Sequence, residues 1–228
     1  MFQKNKDDIS YFVTHVINHT DKNMSGTKKA LKSLISKEMS SNQKYQQLAE
    51  SLRRFTAHEQ PNCKILLGGI IDALEDLQDM KKTLIDRLDY SVKQPLKQYK
   101  ALTSRVSMDL KQRNSAVSQE EEKLRAFHKI RLISNHRNLT KSQIELAGAN
   151  QEALHSTITL AEQVEGLVLQ KNSDLKAVFK SLFLNQLEYF EQGMGVVKQV
   201  IEFIDMVQFE EDVEIVRKKL GVTKNKLN

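Results

Sequence analysis

The sequence predicts an all-α protein, an antiparallel bundle of three long helices. Three observations predict it. With 8 Gly and 2 Pro among 228 residues, the chain is too poor in turn formers for a β-rich fold. Apolar residues recur at alternating steps of three and four over three long runs, the pattern of a helix with one buried stripe. Proline, the strongest helix breaker, occurs only at Pro61, within "HEQPNC", and at Pro95.

The first run leads from Ile9 through Val13, Ile17, Leu31 and Ile35 to Leu48, Leu52 and Phe55. It should stop near Pro61, which lacks an amide proton and biases Gln60 away from the α region. The second run begins at Ile65 and keeps its stripe through Ile71, Leu84, Leu88, Val92, Leu96, Tyr99, Val106 and Leu110, thinning toward Leu124 and Phe127. As one helix it extends about 65 residues, on the order of 95 Å. Pro95 lies inside it, and because the stripe continues across, Pro95 reads as a kink and not a stop. The third run starts after Asn138 or Thr140, each a plausible N-cap, and continues through Leu154, Leu167, Val178 and Phe190 to Val207. "EEDVEIVRKKLG" forms a short closing helix ended by Gly221. The expected organisation is an N-terminal extension (1–8), one folded domain (9–220) and a C-terminal tail (221–228).

Long helices joined by short connections run up, down and up. Such a bundle is thin, and a second copy is the natural cover for apolar stripe left over on one. The expectation is a crescent-shaped homodimer, bent arms meeting at a two-fold axis with basic tips.

The formal charge is +6 and the pI about 9.2, so acidic partners are favoured. Basic residues outnumber acidic ones roughly two to one from Lys81 to Lys141, whereas the last third is richer in acid. The single Cys63 excludes an intramolecular disulfide, and "MFQKNKDDIS" has no apolar signal core; both point to the cytosol or nucleus. The longest apolar stretch, "ILLGGII", is too short to cross a bilayer, so any membrane contact would be peripheral.

No catalytic constellation emerges. His15 and His19 have the i, i+4 spacing of a metal pair but no third ligand in sequence, and read as surface or half-buried residues. Cys63 has no identifiable histidine partner and reads as a small turn residue. Asp72, Glu75, Asp76 and Asp79 form a solvated helix face. Gly68 and Gly69 have no Gly-Lys-Ser after them, so no phosphate loop is present. The expectation is a non-enzymatic protein without metal or cofactor.

Two basic sets remain. "KLRAFHKIRLISNHRNLTK" holds Lys123, Arg125, Lys129, Arg131, Arg137 and Lys141 without a carboxylate, and falls at the turn between the second and third helices. The other set is Lys93, Lys97, Lys100, Arg105, Lys111 and Arg113 on the second helix, of which Lys93, Lys97, Lys100 and Lys111 fall roughly on one side. A basic residue near an anionic leaflet contributes about 1 kcal/mol, within a Debye length of roughly 8 Å. Basic charge along a bent dimer therefore suits curved anionic phospholipid membranes. Nucleic acid is disfavoured, because no Trp is present and few aromatics lie among these lysines to stack on bases. Phe2, beside Lys4 and Lys6, is a candidate shallow wedge. The rivals are a cytosolic coiled-coil adaptor that binds only proteins and a spectrin-like repeat, whose helices are too short for the second run.

The segments "QPNCKILLGGIIDALEDLQDMKKTLIDRLDYSVKQPLKQYK", "DLKQRN", "DLKAVF" and "EEDVEIVRKKL", in this order and spacing, resemble the chibby-interacting BAR-domain proteins of the BAR-domain superfamily. The similarity covers about Leu48 to Leu220. It implies a BAR-type antiparallel three-helix coiled coil that dimerises, binds lipid and shapes membrane during cilium formation. By the same resemblance, a chibby-like protein would recruit it to the centriole, basal body and ciliary transition zone. Mitochondrial association is a further address for the family, although the N-terminus is not an Arg-rich presequence.

Overall fold

A computed structural model describes the backbone over residues 2–133 and 136–221, and the side chains over 8–132 and 138–221. All regular structure among these residues is helical: α1 (Phe2–Thr56), α2 (Pro61–Arg87), α3 (Tyr99–Ile133), α4 (His136–Met206) and α5 (Glu210–Lys219). A π-helical segment, Leu88–Lys93, and a 3-10 segment, Gln94–Gln98, join α2 to α3. The side chains of Phe2, Lys4, Lys6 and Arg137 and the tail beyond Gly221 lie outside the described residues.

The break expected at Pro95 is thus wider than one residue. A proline ring clashes with the carbonyl four residues back and offers that carbonyl no donor. The chain answers by widening the turn before it, where the Gln94 N–H reaches Asp89 O, and tightening the turn that contains it. A π turn uses more residues than an α turn and a 3-10 turn fewer, so the two offsets oppose each other. Consequently Leu88, Val92, Leu96 and Tyr99 are all buried, and the apolar stripe survives the break. The Ser91 hydroxyl donates to Arg87 O at 2.7 Å and accepts from Asn185 Nδ2 of α4 at 3.2 Å.

The chain packs as two compact units. One holds α1 up to Lys29 together with Pro95–Ala177; the other holds α1 from Ala30, the segment to Gln94, and the chain from Val178 onward. The first has its core in Val13, Thr20 and Met24 of α1, Tyr99, Val106 and Leu110 of α3, and Ala153, Leu160, Val164 and Leu167 of α4. The second is centred on Leu31, Ile35, Ala49, Leu67, Ile71, Leu84, Leu88 and Val178.

Within the second unit, α4 carries two adjacent seams. Tyr189, Gly193, Val196, Val200 and Phe203 are partly or fully covered. Gly193 admits Leu77 at 3.6 Å, and Gly69 of α2 leaves room for the Phe203 ring. One residue over, Phe183, Leu187, Phe190, Met194, Val197, Ile201 and Ile204 step by four and three, and every one is exposed. That is a complete a/d seam left uncovered among the described residues.

α5 closes the same unit. α2 opens with Pro61 at its first turn, and Gln60 supplies no side-chain cap. Asp212 supplies it: its carboxylate accepts the amide protons of Asn62 at 3.1 Å and Cys63 at 2.9 Å. Gly221, at φ +69°, ends α5 in the left-handed conformation that favours glycine, as expected from the sequence.

Candidate membrane interface

The basic end is built from the last turns of α3 and the first turns of α4, two antiparallel helices whose register is fixed where Lys123 meets Glu145. Lys123 Nζ donates to Glu145 Oε2 at 2.8 Å. This bond holds the lysine above and the glutamate below its ordinary pKa. Arg125 pairs with Glu121 one turn back, at 3.5 Å. Lys129 and Arg131 are exposed and have no ion pair among the described residues. Lys141 is exposed on α4, and its charge helps to hold Glu145 ionised. Arg137 lies on the first turn of α4, with its side chain outside the described residues. The basic stretch is therefore not uniform: Lys123 and Arg125 are matched by carboxylates, while Lys129 and Arg131 are available for an external anion.

In the second set, Lys97, Lys100 and Lys111 are exposed and share one helix face with Ser104 and Ser107 between them. Lys93 is half-buried and paired with Asp89.

Arg113 departs from the expectation. It is 4% exposed and turned into the first unit, where Nε reaches Thr157 Oγ1 at 3.4 Å and Nη1 reaches Asn114 Oδ1 at 3.1 Å. Burial pulls its pKa down. The reason lies in the period: Leu96, Tyr99, Thr103, Val106 and Leu110 step by three and four, and the next step lands on Arg113. It is a core cation, not a residue that faces lipid headgroups.

Lys81 is a second cation in phase with the stripe. Its ammonium lies 2.9 Å from Glu38, 3.2 Å from Ser41 Oγ, and within 5.7 Å of the Tyr45 and Tyr189 rings. Burial pushes its pKa down, but the bond to Glu38 and the tyrosines outweigh this, and the net shift is upward. Sequence reasoning passed over Lys81, although its phase with Leu67, Ile71 and Leu88 marks it.

Chemistry of other kinds finds little support. His15 and His19 stack at 5.8 Å, and no group of three potential metal ligands gathers among the described residues. Burial, with Glu59 and Asp212 nearby, holds the Cys63 thiol protonated above its usual range, opposite to an activated nucleophile. No described helix is long and apolar enough to cross a membrane.

The family model of the FAM92 protein matches residues 1–214. The chain belongs to the FAM92 family. It is 26% identical over 175 residues to CBY1-interacting BAR domain-containing protein 1 of Danio rerio, covering 76% of this chain and 59% of that protein. The Homo sapiens protein of the same name is 25% identical, covering 76% and 61%. The chain thus spans only 59–61% of the length of these relatives. Among solved structures this FAM92 chain is similar to the Amphiphysin BAR domain from Drosophila, with TM-score 0.71 at 14% identity, covering 90% of this chain and 95% of that one. A BAR protein from Galdieria sulphuraria gives 0.54 at 11% identity, covering 84% and 98%. These likenesses establish the fold, an all-α coiled coil of BAR type, as the sequence resemblance implied.

Proposed function

We propose that this FAM92 chain is a non-enzymatic, peripheral membrane-binding and curvature scaffold that works as a homodimer on anionic phospholipid. The observation that carries it is the end of α3, where Lys129 and Arg131 stand exposed with no carboxylate from Lys123 to Ile144. Unpaired cations at a helix end attract headgroups at about 1 kcal/mol each. Lys97, Lys100 and Lys111 add a second exposed strip. The BAR-type fold supports a scaffold, and the uncovered α4 seam from Phe183 to Ile204 supports a second copy. The cellular setting follows the relatives: proteins named for CBY1 interaction support a chibby-like partner. With it goes a cytoplasmic role in cilium assembly at the basal body or transition zone.

Reversing Lys129 and Arg131 to Glu tests the reading. Co-sedimentation with phosphatidylserine vesicles should fall sharply, while reversing Lys123 and Arg125 should cost less, because both are already paired. Equal binding by all variants would refute it.

A second reading is favoured by that same pairing. Lys93, Lys123 and Arg125 are matched internally, as in a coiled-coil adaptor that binds only proteins. Vesicle binding by the wild-type chain decides between the two.

A further inference from the structure

We infer that Leu132 is a membrane-inserting wedge, entering the acyl boundary of an anionic bilayer while Lys129 and Arg131 hold the headgroups. This rests on the membrane reading above and adds an apolar contact to an electrostatic one. At 85% exposure, Leu132 is the most exposed large apolar side chain among the described residues. A single exposed leucine is ordinary; its surroundings distinguish this one. It lies on the last turn of α3, three residues after Lys129 and seven after Arg125, so all three share one face.

On the facing helix, Ile144 is 69% exposed and lines an open groove of about 590 Å³ with Thr140, Lys141 and Glu145. Because Glu145 is bonded to Lys123, these first turns of α4 run beside α3. Apolar tips therefore stand among cations, and the one acid lining this groove, Glu145, is bonded to Lys123. Electrostatic attraction brings the surface into the headgroup layer, and leucine then loses contact with water. Isolated side chains at a helix end suit a deformable lipid layer better than a fixed protein groove.

The chain contains no Trp, so Leu132→Trp gives a reporter without background. With vesicles of phosphatidylserine in phosphatidylcholine, its emission should shift to the blue and be quenched by lipid brominated along the acyl chain. Pure phosphatidylcholine should do neither. Leu169→Trp, also open to water but away from this end, should stay unshifted. Leu132→Asn should weaken vesicle affinity about tenfold, and the deficit should persist in high salt, unlike that of the charge reversals. If the Leu132→Trp chain sediments with vesicles while its emission is unchanged, insertion is wrong and the electrostatic reading stands. If no variant or wild-type chain binds vesicles, or the emission responds to polyglutamate alone, both fall.

Discussion

The Tyr99 phenol, 1% exposed at the start of α3, donates a hydrogen bond to Asp174 Oδ2 of α4 at 2.7 Å. The same carboxylate accepts from Gln98 at 2.8 Å and from Gln170 at 2.6 Å. One acid thus organises the helix that restarts after Pro95, and it gives the buried phenol the partner its burial demands.

Burial first, and the Asp174 bond second, raise the Tyr99 pKa well above that of an ordinary phenol. A raised folded value means the native state keeps the proton after the unfolded chain has lost it. Stability is therefore full below about pH 10 and falls as pH rises beyond it. Tyr99→Phe should cost about 1.5–3 kcal/mol at neutral pH, the range for a bond to a charged acceptor, and flatten the alkaline loss. Urea titrations between neutral and alkaline pH measure both.

Lys81 and Glu38 make an asymmetric pair. Removing Glu38 strands a nearly buried ammonium, whereas replacing Lys81 with an apolar residue of similar length strands little. Glu38→Ala should destabilise by about 1–3 kcal/mol, moderated by the partial exposure of the pair, and Lys81→Met by less. A greater loss in Lys81→Met than in Glu38→Ala, by thermal or urea unfolding, would contradict the caged-cation description.

Two glycines should respond in opposite ways. A Cβ on Gly69 would collide with the Phe203 ring, while one on Gly193 would touch Leu77 at an ordinary 3.6 Å. Gly69→Ala should cost about 1–3 kcal/mol by overpacking. Gly193→Ala should be neutral or gain up to about 1 kcal/mol from helix propensity. Melting temperatures of the two variants give the comparison directly.

The outward α4 seam should be where copies meet. Leu187→Asp with Phe190→Asp would place carboxylates within this heptad seam, leaving the inner seam of Tyr189, Gly193 and Val196 untouched. Sedimentation should show a dimer for the wild-type chain and a helical monomer for the variant. A variant that remains dimeric would move the interface elsewhere.

Much of this molecule was readable before its structure. The three-four period gave the long helices, Pro61 the first turn and Gly221 the last cap, because each acts through local backbone chemistry. The position of Arg113 was also present, in phase with Val106 and Leu110, but a charge rule that sends arginine outward outweighed the period. Along the end of α4 the stripe read from the sequence follows Phe190, which is exposed, while the covered seam of Tyr189, Val196, Val200 and Phe203 lies one residue over; both are apolar, and the period alone does not say which is covered. The Asp212 cap on α2 joins residues about 150 apart, beyond any local rule.

The most direct test is flotation of the wild-type chain with vesicles of graded phosphatidylserine content and graded diameter. Binding should appear with anionic lipid, weaken with salt, vary with diameter and be absent on neutral phosphatidylcholine. A chain that ignores anionic vesicles of every size, while remaining folded and dimeric, would contradict the membrane scaffold and leave a protein-only adaptor.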